Sequence, residues 1–132
     1  MFDFLFNRKK LLGDRQTLGK WGERRCEKFL RKKGLKTLTR NFTSKAGEID
    51  LIMVDSDRSI VFVEVKTRTD EEFAPTESVI TKPKMDKMTK TARYFISSYD
   101  IENRPYRFDI VTVTLGKRGP AEIRHYKNAF VR

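Results

Sequence analysis

Two carboxylates and a lysine in neighbouring apolar segments form a set that is typical of metal-dependent or acid–base catalysis. Asp50 lies in the segment 48–55, and Glu64 and Lys66 lie two apart in the segment 59–68. Because alternate residues of a strand share a face, Glu64 and Lys66 project from the same side. If the segments pair antiparallel with partner numbers that sum to 114, Asp50 lies opposite Glu64, with Cβ atoms roughly 5 Å apart. A slip of one residue would send the two carboxylates to opposite faces.

Two carboxylates this close repel each other, and on a half-buried face they need a partner that neutralises them. A divalent cation meets this need, since Mg²⁺ typically binds one or two carboxylates, several waters and a substrate phosphate oxygen. Such an ion would polarise a phosphodiester and lower the pKa of its bound water. Lys66 could orient or deprotonate that water, or stabilise charge on the phosphate. The structural alternative is a solvated Glu64–Lys66 ion pair, with Asp50 as a turn residue. Apolar residues on both faces of the two strands favour the functional interpretation.

The predicted helices and strands around these residues follow an α-β-β-β-α-β-β order. One helix is predicted from Thr17, its N-cap, to Gly34, and a second begins at Thr81 with Pro83 in its first turn. The order predicts a single-domain α/β fold with a central mixed sheet flanked by helices. We assign residues 15–132 to this domain and residues 1–14 to a flexible basic N-terminal arm. The predicted strands occupy 35–42, 48–55, 59–68, 107–115 and 122–127, with a polar loop over 69–78.

The charge is unevenly distributed along the 132 residues, which carry 29 Lys and Arg against 18 Asp and Glu, a net charge of +11. Residues 1–45 carry +10, residues 46–80 carry −6 and residues 81–132 carry +7. The basic flanks indicate an anionic partner, which could be nucleic acid, an acidic protein or a membrane surface. The single cysteine excludes an internal disulfide framework and a cysteine-rich zinc site. This cysteine usage is typical of the reducing cytoplasm, where we expect the protein, and no apolar run is long enough to span a bilayer.

The chemistry-bearing segments resemble a known nuclease pattern. Asp50, thirteen intervening residues and then Glu64-Val65-Lys66 are similar to the PD-(D/E)xK superfamily, whose core is αβββαβ. More closely, the chain resembles the YraN family, small bacterial proteins thought to be endonuclease-like and akin to archaeal Holliday-junction resolvases. The resemblance covers about residues 15–131 and rests on Leu18-Gly19, Gly22-Glu23, Arg40-Asn41-Phe42, Gly47-Glu48-Ile49-Asp50-Leu51-Ile52, Val61-Phe62-Val63-Glu64-Val65-Lys66-Thr67-Arg68, Arg107-Phe108-Asp109-Ile110-Val111 and Asn128-Ala129-Phe130.

The resemblance implies specific roles. Asp50 and Glu64 would be ligands of Mg²⁺ (or Mn²⁺), the carbonyl of Val65 would complete the metal shell, and Lys66 would be the catalytic lysine. Glu23 matches a helical glutamate that in related resolvases points at the metal site; the alternative is a solvated helix residue. The proline of the superfamily name is Ile49 here, which leaves the chemistry intact.

The second helix departs from the family pattern. Where relatives often carry a Gln after a basic residue, this chain has Lys84-Met85. Lys84 keeps the charge, and any role of that Gln is lost or displaced.

Both predicted helices are rich in basic residues, which are usually solvated but here favour phosphate contact. Trp21 and Cys26 are predicted to be core residues, His125 a strand-surface residue, and Asp109 a structural residue that supports a neighbouring basic side chain. The residues predicted to contact nucleic acid are Lys45, Arg68, Lys84, Lys87 and Arg24.

The leading hypothesis is a metal-dependent nuclease that hydrolyses DNA phosphodiester bonds, with branched or damaged DNA suggested by analogy alone. One alternative is a non-catalytic nucleic-acid-binding module with the same fold. Another is a partner of an acidic protein or membrane surface that uses the basic flanks. Analogy with resolvases further suggests a homodimer.

Overall fold

The computed structural model describes residues 2–69 and 80–131, which form three helices and five strands. In the described part of the chain, no helix combines the length and apolarity needed to cross a membrane. The polar loop predicted over 69–78 lies, apart from its first residue, outside the described residues. The elements in chain order are α1 (Phe2–Gly13), α2 (Arg15–Lys32), β1 (Lys36–Ser44), β2 (Gly47–Val54), β3 (Ile60–Thr69), α3 (Lys82–Ser98), β4 (Tyr106–Leu115) and β5 (Glu122–Phe130).

The five strands form one mixed sheet in the order β1-β2-β3-β4-β5. Only the β3–β4 pair among them is parallel, with α3 between the two strands in the chain; the other neighbours are antiparallel. This parallel pair follows from the sequence, because parallel neighbours need a long crossover and a helix supplies it. The predicted α/β fold with a mixed sheet flanked by helices is confirmed, and it is consistent with a restriction-endonuclease-like core.

Two apolar layers hold the helices against the sheet. On the α2 side, Cys26 and Leu30 pack with Met53 and Val63, and burial raises the pKa of the Cys26 thiol, which is the buried residue that the sequence predicted. On the α3 side, the ring of Phe62 makes edge contacts with Phe95. Strands buried on both faces explain why β2 and β3 are almost continuously apolar outside the candidate site.

Helix α2 begins earlier than predicted. Its N-cap is Asp14, whose side chain accepts hydrogen bonds from the backbone N–H groups of Gln16 and Thr17. Thr17 lies inside the first turn and donates its hydroxyl to Asp14 at 2.8 Å. The prediction of Thr17 as the cap is therefore wrong, because the aspartate three residues earlier caps the same turn.

The N-terminal segment contains a helix that the sequence analysis did not predict. Residues Phe2–Gly13 form α1, where we expected a flexible arm. Arg8 of this helix is 7% exposed and donates to the carbonyl of Gly119. The helix is therefore tied to the turn between β4 and β5. The division of the chain at residue 14 stays a prediction.

Helix α3 begins as predicted. Thr81 is its N-cap and accepts a hydrogen bond from the Lys84 N–H, and Pro83 lies in its first turn. A proline is tolerated there because the first backbone N–H groups of a helix have no intrahelical acceptor. The cap places Lys84 at the start of α3.

The β2–β3 hairpin has the predicted register. Its pairs run from Val54↔Ile60 to Leu51↔Val63, and every pair of residue numbers sums to 114. This register brings the Asp50 and Glu64 positions to the same end of the hairpin, which fixes the geometry of the site described next.

Candidate metal centre

Asp50 lies where the backbone ladder between β2 and β3 ends. The last backbone pair is Leu51↔Val63, and the next hydrogen bond runs from the Val65 N–H to the Asp50 side-chain oxygen Oδ2, at 2.8 Å. The aspartate carboxylate thus takes the place of a backbone carbonyl. Because the N–H and C=O of one strand residue face the same neighbour, the Val65 carbonyl also faces the gap that Asp50 occupies.

A break in strand alternation brings Asp50 into this gap. Residues three apart on a regular strand face opposite sides, but Ile49 and Ile52 both pack in the α3-side core. On the neighbouring strand β1, Asn41 has a left-handed φ of 51°, a conformation that asparagine tolerates better than most residues. Because of this irregularity, Asp50 does not follow the regular alternation of the strand, and its side chain lies towards β3.

Glu64 is the second carboxylate of the site. Its Oε2 lies 3.2 Å from Nζ of Lys84, and its side chain is 16% exposed. Burial and, after it, the nearby charge of Asp50 raise the pKa of Glu64 to about 7, although Lys84 opposes the shift. The pair is thus two carboxylates with one cation.

Asp50 and Glu64 also share a hydrogen bond. Burial raises the pKa of Asp50, whereas the hydrogen bonds from Val65 and Glu64 lower it. This hydrogen bond lowers the pKa of Asp50 and raises the pKa of Glu64, as expected when the Glu64 carboxyl donates and the Asp50 carboxylate accepts. Two carboxyls that share a proton in this way are poised to exchange it for a cation.

The donor set of this gap fits a hard divalent cation. In the described residues, no three His, Cys, Asp or Glu side chains converge on one point. Two carboxylates, the Val65 carbonyl and water nevertheless supply the all-oxygen environment that Mg²⁺ uses, since this ion keeps several waters and binds through one or two carboxylates. Burial is the main cause of the raised pKa of both Asp50 and Glu64, and a bound cation would offset the cost of burying their charges.

Glu23 of α2 shares a cleft with Asp50, which we call the Glu23 cleft. Burial raises the pKa of Glu23, and the charges of Asp50 and Glu48 raise it further. The cleft has a volume of about 430 Å³. The helical glutamate predicted from the resemblance therefore lies within electrostatic reach of the carboxylate pair. The lining residues are Lys20, Glu23, Arg24, Glu27, Arg40, Asn41, Asp50 and Leu51.

Two neighbours of Glu23 fix this part of α2. At Gly22 an added Cβ would lie 1.9 Å from Oγ1 of Thr67 on β3, so only glycine permits this close approach of helix and strand. Glu27 accepts hydrogen bonds from Thr37 at 2.6 Å and from Arg40 at 2.9 Å. Sequence analysis missed Glu27, and its only signal was a carboxylate on an otherwise basic helix.

The remaining predicted residues lie at different depths. Lys66 is exposed and, by strand alternation, shares the face of Glu64. Arg68 was predicted to contact phosphates, but it is only 4% exposed and its Nε donates to Thr114 at 3.3 Å. Its guanidinium therefore does not lie at the surface. The structure leaves three of the predicted nucleic-acid contacts exposed, namely Lys45, Lys87 and Arg24.

A second buried carboxylate, Asp109, lies on β4 directly opposite Val63, one residue from the level of Glu64 in the parallel β3–β4 pair. Asp109 is fully buried and accepts hydrogen bonds from Arg107 at 3.0 Å, from His125 at 2.7 Å and from the Asn128 N–H at 2.9 Å. Burial alone would raise the pKa of Asp109, but these hydrogen bonds lower it overall. The prediction of a structural role for Asp109 beside a basic side chain agrees with this arrangement.

His125 belongs to the same cluster, and its predicted place on the strand surface is wrong. Its side chain is 7% exposed. Lys33 can only donate, so Nδ1 of His125 accepts from it at 3.1 Å, and Nε2 carries the proton that is donated to Asp109. We refer to Arg107, Asp109 and His125 as the Asp109 network.

Comparison with known proteins places the chain in one family. A family model described as "Uncharacterised protein family UPF0102" matches residues 22–113. A UPF0102 protein of Sulfurihydrogenibium sp. is 42% identical over 89% of this chain and 96% of its own length. One from Syntrophomonas wolfei is 41% identical over 86% of this chain and 96% of its own length. The matched region includes Glu23, Asp50, Glu64 and Lys66, and the chain belongs to the UPF0102 family, which is the YraN family that its sequence motifs resemble.

Proposed function

We propose that this protein is a metal-dependent nuclease that hydrolyses DNA phosphodiester bonds, with Mg²⁺ or Mn²⁺ bound by Asp50, Glu64 and the Val65 carbonyl. The observation that carries the proposal is the incompletely neutralised carboxylate pair at the point where β2 and β3 separate. Only Lys84 forms an ion pair with Glu64 among the described side chains, and both carboxyl pKa values are raised. A protein that only needed stability would be better served by apolar residues there.

A bound divalent ion would supply Lewis acidity and a more acidic water. Asp50 and Glu64 would hold that ion, and the Val65 N–H would keep the Asp50 carboxylate oriented through its 2.8 Å hydrogen bond. Lys66, exposed on the face of Glu64, would orient or deprotonate the attacking water or stabilise charge on the phosphate. Glu23 would contribute negative charge from the side of the cleft.

The basic surface supports a polyanionic substrate. The chain carries a net charge of +11, and Lys45, Lys87 and Arg24 are exposed. Lys84 is 40% exposed, so it can contact a phosphate while remaining beside Glu64. Phosphate contacts of this kind make the affinity fall steeply as salt rises. A preference for branched DNA, a homodimer and a cytoplasmic location are further proposals from the resemblance and the sequence.

The decisive experiment is a cleavage assay on linear, nicked and four-way-junction DNA with Mg²⁺ or Mn²⁺, with EDTA as the blank. We expect the wild type to cleave at least one of these substrates, and Asp50→Asn and Glu64→Gln to lose cleavage while they retain DNA binding in EDTA. Glu102→Gln, which removes the same charge from an exposed loop, is the matched control and should cleave normally.

The same assay separates the alternatives. If folded wild-type protein binds DNA but cleaves none of the substrates with either metal, the protein is a binding module and the nuclease proposal is wrong. If it binds heparin and anionic vesicles as tightly as DNA, with the same salt dependence, its basic surface has another anionic partner.

A further inference from the structure

A second cavity lies beside the Glu23 cleft, between α1, α2 and the end of β4. Its volume is about 310 Å³. We call it the Trp21 cavity. Besides two leucines, its lining consists of Arg8, Lys10, Thr17, Trp21 and Arg24.

The lining combines positive charge with an aromatic ring. Three of the lining residues are cations and none of those that the structure describes is a carboxylate. Thr17, Trp21 and Arg24 are spaced four and three apart on α2, so they lie along one stripe of the helix. Trp21 also packs against the α2-side core, which holds its ring in place while it contributes to the cavity wall. A ligand that matches this wall has a planar apolar part and an anionic part.

Arg24 connects this cavity with the candidate metal centre, because it lines both the Trp21 cavity and the Glu23 cleft. Arg24 follows Trp21 by three residues, and side chains with this spacing on a helix lie roughly 5–6 Å apart at their Cβ atoms. A phosphate held by Arg24 would therefore lie close to a group in the Trp21 cavity and beside the cleft that Asp50 also lines.

We propose that the Trp21 cavity binds one unpaired nucleotide of a DNA strand, with its base against Trp21 and its phosphate on Arg24 and Lys10. This inference rests on the proposed nuclease function and narrows its substrate to DNA that contains unpaired nucleotides. The volume of about 310 Å³ is at the lower end of the range for small-ligand pockets, so a single nucleotide would enter and a duplex would not. Stacking on an aromatic ring accepts any base, so sequence preference would be weak.

Trp21 is the single tryptophan of the chain, so its fluorescence reports on this cavity alone. We would titrate the protein in EDTA with a single-stranded oligo-dT, with a blunt hairpin duplex and with dTMP, and measure emission together with the anisotropy of labelled DNA. We expect saturable quenching by the oligo-dT and none by the duplex. Trp21→Leu should weaken binding of the oligo-dT about tenfold or more, because stacking of a base is lost, and Trp21→Phe should weaken it much less.

Several outcomes would overturn the proposal. One is unchanged Trp21 emission when anisotropy shows saturated oligo-dT binding. Another is equal quenching by dTMP and oligo-dT at the same concentration, which would make the cavity a site for free nucleotides. A third is oligo-dT affinity that Trp21→Leu leaves intact. If Trp21→Leu does not fold, the wild-type quenching and the variant Lys10→Ala, at an exposed position, test the proposal instead. An oligo-dT affinity that Lys10→Ala leaves unchanged would then contradict the proposal.

The test is independent of cleavage. Quenching by oligo-dT in a protein that cleaves no DNA would support the cavity and contradict the nuclease. Cleavage of a four-way junction without quenching by any single strand would support the nuclease and contradict the cavity.

Discussion

The Asp50–Glu64 pair and the Asp109 network are both buried carboxylate clusters on the same sheet, and they are built in opposite ways. Asp109 has an arginine, a histidine and a backbone N–H directed at it, and its pKa is lowered despite complete burial. Asp50 and Glu64 have one lysine and one backbone N–H between them, and both of their pKa values are raised.

The difference distinguishes a fully paired cluster from the carboxylate pair that we propose as the metal site. Burial of charge costs stability unless each charge is paired and hydrogen-bonded. The Asp109 network meets that condition with groups of the protein itself, whereas the Asp50–Glu64 pair leaves room for a cation from outside. We therefore expect perturbation of the two clusters to affect different properties, namely folding for the first and metal-dependent chemistry for the second.

The largest expected effect is on cleavage. Asp50→Asn should lower the rate about a thousandfold or more, because it removes a proposed ligand of a metal ion that would supply several kcal/mol of transition-state stabilisation. The free energy of unfolding should stay the same or rise. Initial cleavage rates and urea denaturation of the same preparation test both statements. An Asp50→Asn variant that is both unfolded and inactive would remove the contrast between the clusters.

The next largest effect is on folding. Asp109→Asn should lower the free energy of unfolding by about 3 kcal/mol, because Arg107 and His125 would remain buried without their anion. Urea denaturation measures this, and Asp57→Asn, in the exposed turn between β2 and β3, is the matched control with an expected loss below about 1 kcal/mol. Cleavage per folded molecule should not change. A loss as small as that of the control would show that the network is not structural.

A third prediction concerns the helix that serves both clusters. Gly22→Ala should lower the free energy of unfolding by about 2 kcal/mol, because its Cβ would meet Thr67 Oγ1 at 1.9 Å. It should also lower cleavage, since the displaced turn of α2 carries Glu23. At Gly19 a Cβ would have no neighbour within 4 Å, so Gly19→Ala should stabilise the helix by up to about 1 kcal/mol. Thermal unfolding of both variants distinguishes close packing from helix propensity.

The smallest expected effect is on the pH dependence of stability, which has opposite signs for the two clusters. The pKa of Glu64 is raised to about 7 from an ordinary value of 4.5, so the folded state binds more protons between these values and stability falls as pH rises through them. Glu64→Gln should therefore stabilise the metal-free protein by about 1–2 kcal/mol near pH 8 and not at all below about pH 4.5. Asp109 has the opposite sign: its lowered pKa contributes stability above pH 3.8 that is lost as pH falls.

The effect of Mg²⁺ on thermal stability provides a further comparison of wild type and variant. Mg²⁺ should raise the melting temperature of the wild type near neutral pH, because a ligand that binds only the folded state stabilises it. It should leave Asp50→Asn unchanged. An equal Mg²⁺ effect on both proteins would contradict a metal site at Asp50.

The sequence predicted the fold and the core of the candidate site because both depend on local patterns. Strand alternation and the turn after Asp55 determine the β2–β3 register, and that register brings Asp50 and Glu64 together. The N-cap of α3 could also be predicted from neighbouring residues, because Thr81 directly precedes the first turn, which contains a proline.

Features that depend on distant neighbours were not predictable in this way. Strand alternation does not determine which charged side chains a neighbouring element will cover, so Arg68 was expected at the surface and is buried. His125 meets Asp109 only because β5 pairs with β4, and Lys33 reaches His125 only because α2 packs over this part of the sheet. The break in alternation between Ile49 and Ile52 lies beside Asn41, whose left-handed conformation was only weakly indicated by its residue type.

The pairing of β2 with β3 has a consequence for the order in which the protein folds. These strands are joined by a short turn, so their contacts close a small loop, whereas the parallel β3–β4 pair forms only after α3 has crossed the sheet. Contacts between residues close in the chain cost less entropy to form, and topologies dominated by distant contacts fold more slowly. We therefore expect the hairpin with Asp50 and Glu64 to be structured early in the folding transition state, and the Asp109 network to form late.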